Sequence, residues 1–211
     1  MNANKPYIIG LTGNIASGKS TASAHLKGMG AFCIDADAIS HSLMAPGGEA
    51  VETVRAAFGD AFIREDGSVD RRALGPVIFQ DVNLRRVLEG IVHPLVQRIT
   101  LEQIRAAQTA GESVVILDVP LLFESGMDVL CDETWVITLS PKKQLQRLMQ
   151  RDMCTEQAAM ERINAQMPQD EKAARATEVI ENERTEESLR HELTRMFNAT
   201  RRRVERERDN A

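Results

Sequence analysis

Apolar residues recur along the chain with two periods, and the alternation between them lays out its elements. Tyr7 to Leu11 is an apolar run that predicts a buried strand. After a polar loop, Ala22, Leu26 and Met29 sit at helical spacing within Lys19 to Met29, and Gly28 and Gly30 end that helix. Ala31 to Asp35 is a second short strand, and the order strand, loop, helix, strand favours a parallel sheet with a right-handed crossover. From Ile39 to about Ala110 no strand pattern appears. Ala45-Pro46-Gly47-Gly48 punctuates this region, Ala50 to Phe58 is helix-like, and Glu65 to Ser68 reads as a turn. Arg72 to Phe79, Asn83 to Val92 and Pro94 to Thr109 are helical again, with His93-Pro94 as an extended bend between two of them.

The sheet resumes at Val114 to Asp118, whose β-branched run predicts a strand covered on both faces. Trp135 to Leu139 is a further strand, and Val179-Ile180 a short last one. Ser140-Pro141 is a helix start, with proline at the permissive first position. Leu145, Leu148 and Met149 form the buried face of that helix and leave Arg147 and Arg151 on another. From Glu186 to about Arg208, Leu189, Leu193, Met196, Phe197 and Val204 make one helical stripe, and Arg201-Arg202-Arg203 reads as a solvated face. The fold class is therefore α/β: a parallel sheet flanked by helices, interrupted by a helical insertion. One domain is expected, with core segments at about 5–38, 112–140 and 177–211, the insertion at about 39–111 and a further helical region at about 141–176.

Between the first strand and first helix stands Gly13-Asn14-Ile15-Ala16-Ser17-Gly18-Lys19-Ser20-Thr21, the phosphate-cradling loop pattern in its required context. Gly13 lets the chain leave the strand at angles closed to other residues. The following amides turn inward as a nest of donors, and the helix aims its positive dipole end at the same anion. Lys19 adds a mobile ammonium for β- and γ-phosphates, and the Ser20 hydroxyl suits a Mg²⁺ ion.

Composition narrows the ligand. The 211 residues are 43% hydrophobic and 27% charged, ordinary for a globular chain, while aromatics at 4% and a net charge of -5 argue against a nucleic-acid groove. An anionic ligand must then be held by local amides, lysines and arginines. Cys33, Cys131 and Cys154 are isolated, as free thiols in a reducing compartment would be. Met1 to Pro6 has neither signal-peptide nor transit-peptide character, and no stretch approaches the roughly 20 apolar residues of a membrane span. A cytoplasmic protein without membrane partners is expected.

Further chemistry gathers at strand ends. Asp35 and Asp37 are two apart, so in an extended chain they face one side, where one orients an acceptor hydroxyl and the other touches a metal's water shell. The bland reading is a helix cap or turn acid. Asp118 is placed to hold a Mg²⁺-bound water, or else caps the turn before Pro120. Arg147, Arg151 and Arg162 are either guanidinium groups that a lid brings over a transferring phosphoryl, or surface arginines paired with Asp152, Glu156 or Glu161. His93 and Arg72 are ambiguous taken singly.

Taken together, these residues resemble the dephospho-CoA kinase family. The matching stretches are Gly10 to Thr21, Ile34 to Asp37, Asp70 to Leu74 with Ile78-Phe79, His93-Pro94, Asp118 to Glu124, and Gln144 to Asp152. The resemblance runs from about residue 7 to 182. It implies a P-loop kinase transferring the γ-phosphoryl of ATP, with Mg²⁺, to the ribose 3′-hydroxyl of dephospho-CoA, the last step of coenzyme A synthesis. It implies Asp37 as base, with Lys19 and Arg147 at the reacting phosphoryl. ATP contacts follow at Gly13 to Thr21 and Arg151, and metal contacts at Ser20 and Asp118. Acceptor contacts are implied at Asp37, Arg72, His93, Leu121, Glu124 and Arg162, with the insertion binding CoA and 141–176 acting as a lid. A monomer or weak homo-oligomer is expected. Asn14 and Ala16 stand where the family commonly has glycines; Asn14 tolerates unusual backbone angles, whereas Ala16 needs an ordinary conformation. Glu183 also replaces a family glycine, and the acid that usually precedes this stretch is missing. The rival readings are another small-molecule or nucleoside monophosphate kinase of this fold, and a non-catalytic nucleotide switch, against which no Asn-Lys-x-Asp motif is present.

Overall fold

The computed structural model describes residues 5–210. The reading of the N-terminus rests largely on Met1–Asn4, which lie outside the described residues. At the centre is β1 (Tyr7–Gly13), in a sheet of order β2-β3-β1-β4-β5. The other strands are β2 (Phe32–Asp35), β3 (Val114–Asp118), β4 (Glu133–Thr138) and β5 (Glu178–Glu181). β1 runs parallel to β3 and β4, and β4 parallel to β5. All five residues of β3 are buried, as its continuous apolar run requires for a strand covered on both faces. The register puts Leu11 beside Asp118 and Gly13 beside Ile137, so the carboxyl ends of three strands meet at one edge. The chain passes from one side of β1 to the other between β3 and β4, and such a switch point leaves a crevice for ligands beyond the strand ends.

One face of the sheet is covered by α1 (Lys19–Gly28) and α9 (Glu186–Asp209). Ala22 and Leu26 of α1 join Leu189, Leu193, Phe197 and Val204 of α9 over Ile9, Leu11, Ile116, Trp135 and Ile137. The apolar stripe of the last helix is thus spent on this sheet, with Met196 partly buried at its margin. Its arginine run is not uniformly solvated: Arg203 donates to Glu133 Oε2 at 2.8 Å and to the Tyr7 hydroxyl at 3.0 Å. Its aliphatic stem lets the guanidinium reach a carboxylate on the sheet, a partner that sequence spacing does not reveal.

The chain divides into two compact units: residues up to Ile34 and from Ile104 onward, and Asp35–Gln103. The second holds α2 (Ala36–Leu43), α3 (Val51–Phe58), α4 (Arg71–Gln80) and most of α5 (Val82–Thr109). The bend expected at His93-Pro94 is absent, because α5 is one helix of 28 residues. Pro94 lacks the N–H that would bond the Gly90 carbonyl. Val92, Val96, Thr100, Ile104 and Ala107 nonetheless form one buried stripe across it, and that packing outweighs the lost bond. The expected turn at Glu65 to Ser68 is present, closed by an antiparallel bridge between Ile63 and Val69. No helix among the described residues is long and apolar enough to cross a membrane.

Leu193 is fully buried in the contact of α9 with the sheet. Replacing it by alanine should cost about 3 kcal/mol, against clearly less for Met196→Ala at the margin. Urea denaturation of the two variants measures the difference.

Candidate active site

The loop from Gly13 to Thr21 is shaped by what it cannot contain. A Cβ on Gly13 would lie 2.5 Å from Ser17 Oγ and 2.8 Å from the Ile137 carbonyl oxygen. Gly18, at φ 103°, is the residue before α1, and a Cβ there would run into the Asn182 amide. The expectations for the two substituted glycines are reversed. Ala16 has φ 63°, in the left-handed region, while Asn14 keeps a negative φ. The loop must turn left-handed at position 16 to aim its amides inward, and alanine bears that strain. Asn14 serves instead as a tether, donating from Nδ2 to the Met167 carbonyl at 3.0 Å.

Three more side chains hold the loop from outside. Gln166 Oε1 accepts from Ile15 N at 2.8 Å, Gln144 Nε2 donates to the Ile15 carbonyl at 2.9 Å, and Asn182 Nδ2 donates to the Ser17 carbonyl at 2.7 Å. None was among the site residues expected from sequence. Gln144 lies one turn before the buried Leu148, and only its burial in the fold, at 4% exposure, marks it as a polar residue in a core stripe. Gln144 replaces Leu145 and Met149, both only half-buried, as the second buried position of α6 (Pro141–Asp152).

The loop suits an anion. No side chain caps the start of α1 and no acid lies in its first turn, so its first-turn amides and dipole face outward uncompensated. Asn14 Oδ1 and Ser17 Oγ are buried with no hydrogen-bond partner among the described residues. Lys19 Nζ sits 2.5 Å from Asp118 Oδ1 at the carboxyl end of β3, with side chains 15% and 5% exposed. Ser20 and Asp118 offer the hard oxygens that Mg²⁺ takes, and Mg²⁺ beside a phosphate chain needs only one or two from the protein.

Beyond Asp118, Thr12 Oγ1 donates to the Pro120 carbonyl at 2.9 Å, and Leu121 is 41% exposed. Glu124 pairs with Lys172 at 2.9 Å and accepts from Met167 N at 3.3 Å.

The arginines separate. Arg151 forms a two-pronged pair with Asp152 at 2.7 and 3.1 Å, and Arg162, on α7 (Glu156–Asn164), binds the same carboxylate. Both guanidinium groups hold Asp152 well below the usual carboxylate range, at about 2, with Arg151 the larger influence. Arg147 is half-buried and donates to the Asn182 carbonyl at 3.5 Å. Ser140 precedes α6, but its side chain makes no cap; its hydroxyl and amide go to Glu183, which also pairs with Lys143 at 3.2 Å. The Glu183 departure thus anchors the start of α6.

Four expected residues, Asp35, Asp37, Arg72 and His93, belong to the unit Asp35–Gln103. Asp35 and Asp37 do not share the face of an extended chain. Asp35 ends β2 and caps α2, accepting from Ala38 N at 2.9 Å, and Asp37 is an exposed residue in that helix's first turn. Capping by Asp35 starts the helix at Ala36, before the chain reaches Asp37. Arg72 is exposed in the first turn of α4, which Asp70 caps through Arg72 N and Ala73 N. His93 is exposed on α5.

Two outcomes follow. Ala16→Gly should stabilise the protein by about 1 kcal/mol by relieving the left-handed alanine, read by thermal or chemical denaturation. The Asp152 carboxyl, followed by ¹³C NMR, should titrate near 2, against 3.8 for an unperturbed aspartate. Because its folded pKa is depressed, the stability it contributes is complete above about pH 4 and lost as pH falls through about 2. Arg151→Gln should move the midpoint up toward the unperturbed value.

Comparison with known proteins covers most of the chain. A model of the dephospho-CoA kinase family matches residues 7–187. A dephospho-CoA kinase of Symbiobacterium thermophilum is 49% identical over 175 residues, covering 83% of this chain and 73% of that protein. One from Geobacter sulfurreducens is 40% identical over 190 residues, covering 90% and 96%. Among solved structures, TT1252 from Thermus thermophilus superposes with a TM-score of 0.78 at 34% identity, over 92% of this chain and 97% of that one. Dephospho-CoA kinase from Campylobacter jejuni gives 0.70 at 27%, with the same coverage. With its glycine-framed loop, its Lys19–Asp118 pair and relatives matched along nearly its whole length, the chain belongs to the dephospho-CoA kinase family.

Proposed function

We propose that this chain phosphorylates the ribose 3′-hydroxyl of dephospho-CoA with ATP, giving CoA and ADP in the last step of coenzyme A synthesis. The observation that carries the reading is the uncapped, glycine-framed helix start with Lys19 and Asp118 beside it, in a chain of this family. Loop amides within Gly13 to Thr21, other than those of Ile15 and Ser17 that are bonded inside the protein, cradle the phosphates of ATP. The Lys19 ammonium follows the β- and γ-oxygens, and Asp118 keeps it aligned. Ser20 and Asp118 would hold Mg²⁺, which neutralises charge on the transferring group.

In the transfer, a bond forms from the 3′-oxygen to the γ-phosphorus and the bond from γ-phosphorus to the bridging oxygen of ADP breaks. The hydroxyl proton goes to Asp37, which acts mainly by positioning where the transition state is loose. Arg147 stabilises the equatorial oxygens and Arg151 contacts ATP. Arg72, His93, Leu121, Glu124 and Arg162 belong to the acceptor side. Residues 39–111 form the CoA-binding insertion, and 141–176 a lid that excludes water from the reacting phosphoryl. For Arg151 and Arg162 this role requires exchanging Asp152 for phosphate oxygens. The protein works in the cytoplasm as a monomer or weak homo-oligomer.

The test is ADP release from ATP and Mg²⁺ with and without dephospho-CoA, with product mass read in parallel. Acceptor-dependent CoA formation is expected. Lys19→Ala should lower turnover by at least about 100-fold, as loss of one phosphoryl-stabilising donor does elsewhere. Asp37→Asn should lower kcat strongly and leave ATP binding nearly intact; unchanged turnover would exclude its role. Phosphorylation of a nucleoside monophosphate with dephospho-CoA inert would replace the acceptor.

A further inference from the structure

The segment after β3 is held by a lysine that no motif marks. Lys172, on α8 (Gln169–Arg175), has a side chain 0% exposed. Its Nζ lies 3.0 Å from the Pro120 carbonyl and 2.9 Å from Glu124 Oε1, so one ammonium bonds both ends of the stretch from Pro120 to Glu124. The same two anchor points connect to the phosphate loop. The Thr12 hydroxyl shares the Pro120 carbonyl, while Glu124 Oε1 accepts from Met167 N and the Met167 carbonyl accepts from Asn14. A buried ammonium is expensive to desolvate, and an unbranched apolar side chain of similar length would fill the space without that cost. The charge therefore does something that packing does not require.

We propose that Lys172 is a positioning residue for the acceptor: by holding Glu124 and Pro120 together it fixes the conformation that Leu121 to Glu124 offer to dephospho-CoA. The inference rests on the reading of Leu121 and Glu124 as acceptor contacts. Lys172 itself touches no reacting atom. It acts through Glu124, whose carboxylate would otherwise keep only the 3.3 Å bond from Met167 N.

The experiment is steady-state kinetics of Lys172→Met, Lys172→Arg, Glu124→Gln and the double variant Lys172→Met/Glu124→Gln, with thermal melting and equilibrium binding of a non-hydrolysable ATP analogue. Lys172→Met should raise KM for dephospho-CoA about tenfold and leave that for ATP within about twofold, with Lys172→Arg recovering part of the loss. The double variant should be no worse than the more damaged single one, as expected of two groups acting as a unit. An unchanged KM for dephospho-CoA in Lys172→Met overturns the proposal. So does a parallel loss of melting temperature, analogue binding and kcat, which marks a merely structural lysine. Should Lys172→Met not fold, the double variant, which leaves no unpaired buried charge, carries the same test: an unchanged KM there refutes the positioning role. Failure of the underlying reading looks different: Glu124→Gln would then leave KM for dephospho-CoA unchanged, whereas failure of the positioning role alone leaves a raised KM in Glu124→Gln beside an unchanged one in Lys172→Met.

Discussion

A peptide loop binds phosphate only while its amides converge on one point, and convergent N–H dipoles repel one another. The Gly13 to Thr21 loop has few bonds of its own to resist this. Within it, Ser17 N donates to the Asn14 carbonyl at 3.0 Å, and most other fastening comes from elsewhere in the chain. Gln144, Gln166, Met167 and Asn182 reach it from positions 129 or more residues away. Each bonds a backbone or side-chain group on the loop's outer side and leaves the inner side to the ligand. The parallel sheet exists, in this sense, to bring those distant groups to the end of β1.

The same economy explains the crowded glycines. Gly13 and Gly18 stand where neighbouring atoms already fill the place of a Cβ, one against Ser17 and Ile137 and the other against Asn182. Ala16 shows the opposite compromise, a side chain in a conformation that favours glycine, tolerated because the surrounding bonds over-determine the loop. Strain at such a position is small beside the energy of the five-stranded sheet and its two covering helices.

Charge is handled locally throughout the site's unit. Lys19 answers Asp118, Lys172 answers Glu124, and Asp152 answers Arg151 and Arg162. In the two lysine pairs one or both side chains are largely out of water, where opposite charges hold each other firmly in place. The Asp152 cluster is more open, so its arginines can exchange partners at modest cost.

Local pattern was enough for the strands, for α1 and α9, and for the place of the loop between β1 and α1, because these depend on short-range periodicity and on glycine spacing. It was not enough for the loop's left-handed turn at Ala16. Leu189, Leu193, Phe197 and Val204 were readable as a buried stripe from sequence, and so was the acid ending β3. Which acid capped a helix at Asp35-Ala36-Asp37 was not readable, since an extended and a helical continuation differ by a single capping bond. Nor was the unbroken helix through Pro94, where burial of Val92 and Val96 on one stripe decided against the proline. The tethers Gln144, Gln166 and Asn182, the partner of Arg203 and the buried Lys172 depend on contacts across most of the chain. No local propensity encodes them: a polar side chain looks alike in sequence whether it faces water or a distant carbonyl, and only the packed fold distinguishes the two.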